Sequence, residues 1–356
     1  MIISASVRTD LPAFYSRWFL NRIREGYVLV RNPYNPSSVT RYLLNSDVVD
    51  CLFFCTKNPA PLLPHLQEIA AFPWMWHVTL TPYGKDMEPN VSDKHFIVEQ
   101  FRKLSVAANR HNALLAGLTE KQPDTYGHHL PPEVKMLDAV QWRYDPICIT
   151  ERYTVDRHIK SFETMASLLE GYTHTCIISF VDIYKGVSRN FPTLTEVSDE
   201  SQQLITEAFV EIGHLHDIAI KTCVENPSLA ELGADCSGCA TPEVISKAMG
   251  LSQKGLALIP PKRKFARAQC SFCALSGDIG AYSSCPHLCR YCYANHNEGQ
   301  VRQNHAAHDP ASPFIIGNTQ PGDIIRDAKQ ESWIKPLGKP QPDLFCTNRP
   351  IFTDYP

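Results

Sequence analysis

Short apolar runs alternate with longer amphipathic segments through about residue 225. The apolar runs predict strands, because short runs of apolar and β-branched residues between turn signals are typical of buried strands. The segments between them repeat apolar residues at spacings of three and four, which predicts helices. The predicted strands are 2–6, 27–30, 50–55, 76–81, 139–143, 176–181 and 218–223. The predicted helices are 13–25, 61–70, 93–108, 155–169 and 199–216.

This alternation of strands and helices favours an α/β fold with a parallel sheet. Six or seven such units within about 225 residues predict a complete or partial (β/α) TIM-like barrel. A doubly wound open sheet is the alternative, because periodicity does not reveal the order of the strands. In either fold, ligands bind at the carboxyl ends of the strands.

Two breaks in the alternation divide the chain. Residues 1–225 form the predicted barrel-like domain, interrupted by an inserted loop at 110–134 that lacks clear periodicity. Residues 226–300 contain seven cysteines and form a predicted C-terminal cysteine-rich extension that binds a metal or cluster and packs on the barrel mouth. Residues 301–356 form a predicted tail that contains Pro and Gly.

The composition excludes several classes of protein. The 356 residues are 44% hydrophobic and 20% charged, as in ordinary soluble proteins. A net charge of −3 gives no general attraction to nucleic acid or to an anionic membrane. The N-terminus does not resemble a signal peptide, and no apolar run is long enough to span a bilayer. Thirteen cysteines without an export signal therefore predict a cytoplasmic, metal-binding protein.

Three closely spaced cysteines, Cys285, Cys289 and Cys292, form the most informative motif. Their spacing is C-x3-C-x2-C, and Tyr291 directly precedes the last of them. Three thiolates on one loop can each bind one iron of a [4Fe–4S] cluster and leave the fourth iron open to a small molecule. The motif therefore predicts a cluster that takes part in catalysis.

A structural zinc site is the alternative interpretation of this loop. Cys270 and Cys273 extend the pattern to C-x2-C-x11-C-x3-C, a spacing that suits four thiolates around zinc. That interpretation leaves Cys292 unused and gives Tyr291 no role, so we favour the iron–sulfur cluster.

A second site is predicted from two C-x2-C pairs. Cys236 with Cys239, and Cys270 with Cys273, supply four thiolates for a closed site. The site would hold either a second iron–sulfur cluster or zinc. Cys223, at the end of a predicted strand, is a candidate to replace one of the four.

Charged residues stand at the ends of most predicted strands and predict a polar mouth. Its cations suit a small anionic or zwitterionic ligand, and its acids would orient that ligand or transfer protons. A carboxylate in such a place also suits a structural role as the partner of an arginine. The candidate cations are Arg8, Arg31, Lys57 and Arg143. The candidate acids are Asp10, Asp145 and Glu225, and Arg143 acts with Asp145 in the predicted catalytic site.

The cysteine motif resembles that of radical S-adenosylmethionine (SAM) enzymes, and the Tyr-Cys-Tyr run at 291–293 is similar to their spore photoproduct lyase-like branch. The resemblance implies that the open iron binds the amino and carboxylate groups of SAM, with Tyr291 beside the adenine. It implies that the reduced cluster cleaves SAM to a 5′-deoxyadenosyl radical, which abstracts hydrogen from an unknown substrate. Such an enzyme needs an electron donor such as ferredoxin or flavodoxin.

Further segments resemble an uncharacterised bacterial family, the domain of unknown function 1848. They are the N-terminal Ile-Ile-Ser-Ala-Ser-x-Arg-Thr-Asp, Lys-Asn-Pro at 57–59, Trp-Arg-Tyr-Asp-Pro at 142–146 and Asp-Ile-Gly-Ala-Tyr-x-x-Cys at 278–285. The resemblance spans roughly residues 1–315, and several motifs occur in the same order. It implies a cysteine cluster like that of radical SAM enzymes, and residues 110–134 are an addition to the family pattern.

The position of the motif differs from that in ordinary radical SAM enzymes, where it follows the first barrel strand. Here it follows all the predicted strands, so it must fold back onto the barrel mouth to act there. A radical SAM-like enzyme is the leading hypothesis. The alternatives are a non-radical barrel hydrolase or lyase with structural zinc or iron–sulfur sites, and a redox-sensing iron–sulfur protein. The polar strand ends favour an enzyme.

Overall fold

Ten strands and ten α-helices are present in the computed structural model, which describes residues 1–118, 130–260 and 273–335. The strands are β1 (Ile2–Ser4), β2 (Tyr27–Arg31), β3 (Ser38–Leu43), β4 (Cys51–Thr56), β5 (Trp74–Thr79), β6 (Val140–Ile147), β7 (Thr175–Phe180), β8 (Ala219–Thr222), β9 (Gly277–Asp278) and β10 (Ile324–Asp327). The helices are α1 (Leu11–Phe14), α2 (Ser16–Glu25), α3 (Lys94–Leu115), α4 (Pro132–Lys135), α5 (Val155–Leu169), α6 (Lys185–Asn190), α7 (Asp199–Leu215), α8 (Pro242–Ala248), α9 (Gln253–Leu256) and α10 (Glu298–Ala306). Two 3₁₀ helices cover Leu63–Ile69 and Pro227–Leu232.

Seven strands form one parallel sheet in the order β8-β7-β6-β5-β4-β1-β9. Helices α3, α5 and α7 connect successive strands from β5 to β8. Strands β1, β4, β5 and β7 are almost wholly buried, which is typical of parallel strands covered on both faces. The predicted α/β fold is therefore confirmed. β8 and β9 are the two edges, and no pairing between them closes the sheet into a barrel within the described residues.

The predicted strand at 27–30 exists, but it belongs to a second sheet, so its assignment to the barrel is wrong. β2 pairs antiparallel with β3, and β10 pairs parallel with β3. Only residues 32–37 connect β2 to β3, which suits a hairpin and is too short for the crossover that parallel neighbours need. Leu29 and Val39 pack against Phe314 in a small separate core.

The main core lies between the large sheet and its helices. Trp142 of β6 stacks on Phe162 of α5 with ring centroids 4.7 Å apart, and Phe162 stacks on Phe209 of α7 at 3.8 Å. Trp18 and Phe19 of α2 are fully buried. Each such side chain contributes roughly 1.5–3 kcal/mol through burial. This packing gives the strand ends a rigid support.

Parts of the predicted inserted loop and of the predicted tail form regular secondary structure. α3 continues to Leu115, beyond its predicted end at residue 108, and residues 119–129 of the predicted loop lie outside the described residues. The tail contributes α10 and β10, and Trp333 N donates to Asp50 Oδ2 at 2.9 Å. Residues 336–356 lie outside the described residues. No described helix is both long enough and apolar enough to cross a membrane.

Candidate functional site

A cavity of about 310 Å³ lies at the carboxyl ends of the main sheet. Residues at or just beyond the ends of β1, β4, β7 and β8 line it, together with residues of β6. Its volume is near the lower end of the range for small-molecule sites. The cysteine loop, defined as residues 285–292, folds back onto these strand ends. The ionisable lining residues other than cysteine and tyrosine are Asp10, Lys57, Arg143, Asp145, Asp182 and His287.

The three cysteines of the loop, Cys285, Cys289 and Cys292, all line this cavity. The turn between them is tight: Leu288 has a φ of 56°, and Cys292 N donates to Cys289 O at 3.1 Å. Non-glycine residues adopt that left-handed conformation rarely. Burial raises the pKa of all three thiols. Metal binding would therefore release protons from this loop, because thiolates are the ligands.

Asp10 joins the cysteine loop to the N-terminal strand. Its Oδ2 accepts hydrogen bonds from His287 Nε2 at 2.9 Å and from Lys57 N at 2.7 Å. Its Oδ1 accepts from Thr56 Oγ1 at 2.7 Å and, as the N-cap of α1, from Ala13 N at 3.1 Å. Because four donors share this buried carboxylate, the geometry favours a structural function for Asp10 over the predicted proton transfer.

A second buried carboxylate, Glu88, connects the cysteine loop to the end of β4. It pairs with Lys57 Nζ at 2.8 Å and with Lys94 Nζ, and it accepts hydrogen bonds from Thr81 Oγ1 at 2.8 Å and from Tyr291 OH. Burial acts to raise the pKa of Glu88, but the two ammonium groups outweigh it and lower that pKa to about 2. Glu88 is therefore ionised and fixes the orientation of Tyr291.

Lys57 supplies positive charge beside the cysteine loop. Its Nζ lies 5.5 Å from the centre of the Tyr291 ring, and both side chains line the cavity. Burial acts to lower the pKa of Lys57, but Glu88 and Cys289 outweigh it and raise that pKa above its usual value. The charged ammonium favours the thiolate form of Cys289. Of the four residues predicted to bind the cofactor, namely Arg8, Arg31, Lys57 and Tyr291, the last two share one cavity with the loop cysteines.

Arg143 and Asp145 of β6 also line the cavity. Arg143 Nε donates to Asp145 Oδ2 at 2.8 Å, and the Ser179 hydroxyl donates to Asp145 Oδ1. On the other side, Arg143 Nη1 lies 3.4 Å from His77 Nδ1. Burial and then the charge of Arg143 lower the pKa of His77 well below its usual value, so this imidazole is neutral. The pair gives the cavity a fixed cation beside a fixed carboxylate.

Arg8 and Arg31, two of the predicted ligand-binding cations, are not part of the cavity lining. Arg8 Nε pairs with Asp278 Oδ2 at 2.5 Å, and this buried ion pair holds β9 against β1. Arg31 pairs with Asp323, and its guanidinium lies 4.9 Å from the centre of the Phe314 ring. Arg31 lies on β2, which belongs to the second sheet and not to the sheet whose strand ends line the cavity.

Glu225, the third candidate acid, is not part of the cavity lining. Its Oε1 accepts a hydrogen bond from Phe180 N at 3.0 Å. Burial raises the pKa of Glu225 to about 8, and Asp145, Asp182 and Cys223 add to this effect against the backbone hydrogen bond. The carboxyl group is therefore mostly protonated at neutral pH and supplies little negative charge.

The second predicted cysteine site is assembled only in part. Cys239 and Cys273 line the cavity together with Cys223, and Cys239 Sγ lies 3.3 Å from Cys223 Sγ. Cys236 is not in the cavity lining and contacts backbone carbonyls instead, so its prediction as a ligand is not supported by its position. Cys270 lies outside the described residues. Cys223 thus occupies the place expected for Cys236.

The donor set of the cysteine loop consists of three thiols that line one cavity. Zinc needs four ligands about 2.3 Å from one point when they are thiolates. Among the described residues, no group of three or more histidine, cysteine or acidic side chains is arranged to hold one metal ion. A cubane spreads its cysteines over separate irons, so its ligands need not converge on one point. Three thiols around a common cavity, with a buried cation beside them, suit that donor set.

Three residues that position the site were not among the predicted ones: Glu88, His287 and Ser179. Ser179 lies at the end of β7, where a search for every polar residue near a strand end would have found it, whereas Glu88 lies nine residues after β5 and carries no such signal. His287 lies inside the cysteine loop, and no sequence signal indicates that it binds Asp10.

The fold and the cavity define an α/β protein in which Cys285, Cys289 and Cys292 line the same cavity as the carboxyl ends of a parallel sheet. The chain belongs to the family described as domain of unknown function (DUF1848), whose family model matches residues 2–114 and 133–294. These ranges include every residue of the cavity lining, and the gap between them falls within the predicted insertion at 110–134. No curated protein and no solved structure matches the chain.

Proposed function

We propose that this protein is a radical SAM-like iron–sulfur enzyme, built on an incomplete (β/α) barrel, that acts on a small molecule in its cavity. The observation that carries the proposal is that Cys285, Cys289 and Cys292 line the same cavity as the charged strand ends. When bound, a [4Fe–4S] cluster with SAM would supply one-electron cleavage of SAM and a 5′-deoxyadenosyl radical for hydrogen abstraction.

The three loop cysteines would hold the cluster, and the surrounding residues fix the loop. Asp10 binds His287 within the loop, and Glu88 binds Tyr291. Lys57 places an ammonium group beside Cys289, where it offsets the negative charge of thiolate ligands. The loop is therefore attached to the sheet at two points, on either side of Cys289 in the sequence.

The second charged pair of the cavity would orient the ligand. Arg143 is held by Asp145, and Asp145 is held in turn by Ser179. SAM carries a carboxylate, an ammonium and a sulfonium group, so a cavity with both cations and carboxylates suits it. The walls between the charged groups are largely apolar and include Phe53, Phe180 and Leu275. Such walls exclude water from reactive intermediates.

The proposal also includes partners and a location. A one-electron donor such as ferredoxin or flavodoxin would reduce the cluster. A cytoplasmic location suits cysteines that must stay reduced to bind iron. The small-molecule substrate would enter the cavity at the strand ends.

Replacing Cys285, Cys289 and Cys292 together with serine should remove about four irons and about four sulfides per chain. The measurement is iron and acid-labile sulfide in anaerobically prepared protein, with the absorption spectrum recorded on the same sample. Cys236→Ser is the matched control, because Cys236 lies outside the cavity lining, and it should keep the full iron content. Stoichiometric zinc without iron in the unmodified protein would refute the proposal.

Arg143→Lys should weaken SAM binding about tenfold, although the positive charge is kept. The planar fork of arginine binds Asp145 and a ligand together, whereas the single ammonium of lysine makes fewer oriented hydrogen bonds. Titration calorimetry with SAM under anaerobic conditions measures the effect. Arg152→Lys is the control, since Arg152 is exposed and pairs with Asp86 at 3.4 Å. Equal affinities for both variants and the unmodified protein would contradict the prediction.

A further inference from the structure

We propose that Cys223, Cys239 and Cys273 hold a second iron–sulfur centre at the same cavity as the cysteine loop. This inference goes beyond the proposed SAM chemistry, because it concerns a different set of ligands. The three cysteines come from three separate segments of the chain, and all of them line the cavity.

Backbone pairing brings these segments together. Lys221 of β8 forms a parallel bridge with Asp235, and Asp235 N donates to Ile220 O at 2.8 Å. The segment after Asp235 therefore runs beside the end of β8, and Cys239 Sγ comes within 3.3 Å of Cys223 Sγ. A second pairing adds the third cysteine.

That second pairing joins the neighbours of two cysteines. Ala274 N donates to Ala240 O at 2.8 Å, so Cys273 and Cys239 each lie one residue from the same hydrogen bond. The approach of the three cysteines to one cavity thus follows from the path of the backbone. It does not depend on side-chain rotamers alone.

The backbone beside Cys223 is held in a rarely adopted conformation. Val224 has a φ of 65°, which is an outlier for a β-branched residue, and it lines the cavity. Such strain concentrates at functional sites. Leu288, directly before Cys289, has a φ of 56°. Each set of cavity cysteines therefore has a strained residue next to one member.

Each set also has its own buried cation. Lys57 lies beside Cys289, and the Arg143 guanidinium interacts electrostatically with Cys223 and Cys239. A cation beside metal-bound thiolates offsets their negative charge. Arg143 therefore stands in the same relation to the second set as Lys57 does to the loop.

An iron–sulfur centre accounts for this set better than zinc or a disulfide. A disulfide between Cys223 and Cys239 would give no role to Cys273. The described residues offer no group of three donors around a single ion. A [2Fe–2S] centre fits this arrangement, because two thiols 3.3 Å apart suit one shared iron while Cys273 binds the other iron.

The test compares iron and acid-labile sulfide per chain in four anaerobically prepared full-length proteins. The unmodified protein should hold about six irons, about four in the loop cluster and about two in this centre. The Cys223→Ser/Cys239→Ser/Cys273→Ser variant should hold about four, and the Cys285→Ser/Cys289→Ser/Cys292→Ser variant about two. Cys236→Ser should keep about six. If the triple variant does not fold, the single variant Cys273→Ser replaces it in the comparison, and circular dichroism confirms that the single variant is folded.

Unchanged iron and sulfide in the variants at Cys223, Cys239 and Cys273 would overturn the inference. Zinc lost from those variants, or a Cys223–Cys239 disulfide found by mass spectrometry in the anaerobic protein, would overturn it as well. If only the loop variant loses iron, the second centre fails and the proposed function stands. If only the second set loses iron, the proposed function fails and the second centre stands. Mössbauer spectra of ⁵⁷Fe-loaded unmodified protein should resolve two cluster components.

Discussion

Glu88→Gln is expected to destabilise the protein by about 3–5 kcal/mol, the usual cost of removing one partner from a buried ion pair. The Glu88 side chain is 1% exposed and faces both Lys57 and Lys94. Glutamine keeps the size of the side chain and removes the charge, so two ammonium groups lose their counter-charge. Urea unfolding at pH 7 measures the free energy of unfolding directly.

The matched control is Glu99→Gln. Glu99 is exposed and pairs with Lys103 one helical turn away in α3, an arrangement that contributes about 0.3–0.5 kcal/mol. If Glu88→Gln lowers the free energy of unfolding by less than about 1 kcal/mol, as the control does, the charge of Glu88 does not stabilise the buried Lys57 and Lys94.

The effect of Glu88 should also depend on pH. Its pKa in the folded protein is about 2, below the usual 4.5, so its carboxylate stabilises the fold fully above pH 4.5. That contribution is lost as the pH falls from 4.5 towards 2, because the unfolded state takes up the proton first. The difference in stability between the unmodified protein and Glu88→Gln should therefore shrink over this range. A stability difference between the two proteins that stays constant down to pH 2 would contradict the lowered pKa of Glu88.

Asp10→Ala is expected to reduce cluster retention severely and to destabilise the fold by more than about 3 kcal/mol. The substitution leaves His287, Thr56 and Lys57 N without their acceptor, and each buried unpaired group costs about 1–3 kcal/mol. Loss of the hydrogen bond between Asp10 and His287 frees the cysteine loop from the end of β1. The measurements are the free energy of unfolding and the iron content after anaerobic gel filtration.

Asp93→Ala separates helix capping from attachment of the loop. Asp93 caps α3 by accepting from His95 N at 2.9 Å, just as Asp10 caps α1. Loss of a cap alone costs about 1 kcal/mol, and Asp93→Ala should keep its iron. Equal iron content in the two variants would show that Asp10 does not hold the loop.

The main sheet was predictable because strands buried on both faces are continuous apolar runs. The run at 176–181 became β7 (Thr175–Phe180), and the run at 218–223 became β8 (Ala219–Thr222). β9 has only two residues, Gly277 and Asp278, so it has no periodicity to detect. It is held beside β1 by the ion pair with Arg8, a contact that joins distant parts of the sequence.

The candidate site was predictable as far as local spacing reaches. The C-x3-C-x2-C motif identified the cysteine loop, since its three cysteines lie within eight residues. The second cysteine set was predictable only in part, because C-x2-C spacing groups Cys236 with Cys239 and leaves Cys223 only as a candidate replacement. The parallel bridge between Lys221 and Asp235 decides that Cys223 lies beside Cys239 instead.

Electron–nuclear double resonance of the reduced protein with isotopically labelled SAM tests the central claim most directly. The claim is that the cluster held by Cys285, Cys289 and Cys292 binds SAM in the cavity. We expect a cluster signal that changes on addition of SAM, and coupling between the cluster spin and the labelled amino nitrogen of SAM. Both should be absent from the variant that lacks the three loop cysteines. A cluster signal that saturating SAM leaves unchanged, with no such coupling, would contradict the claim.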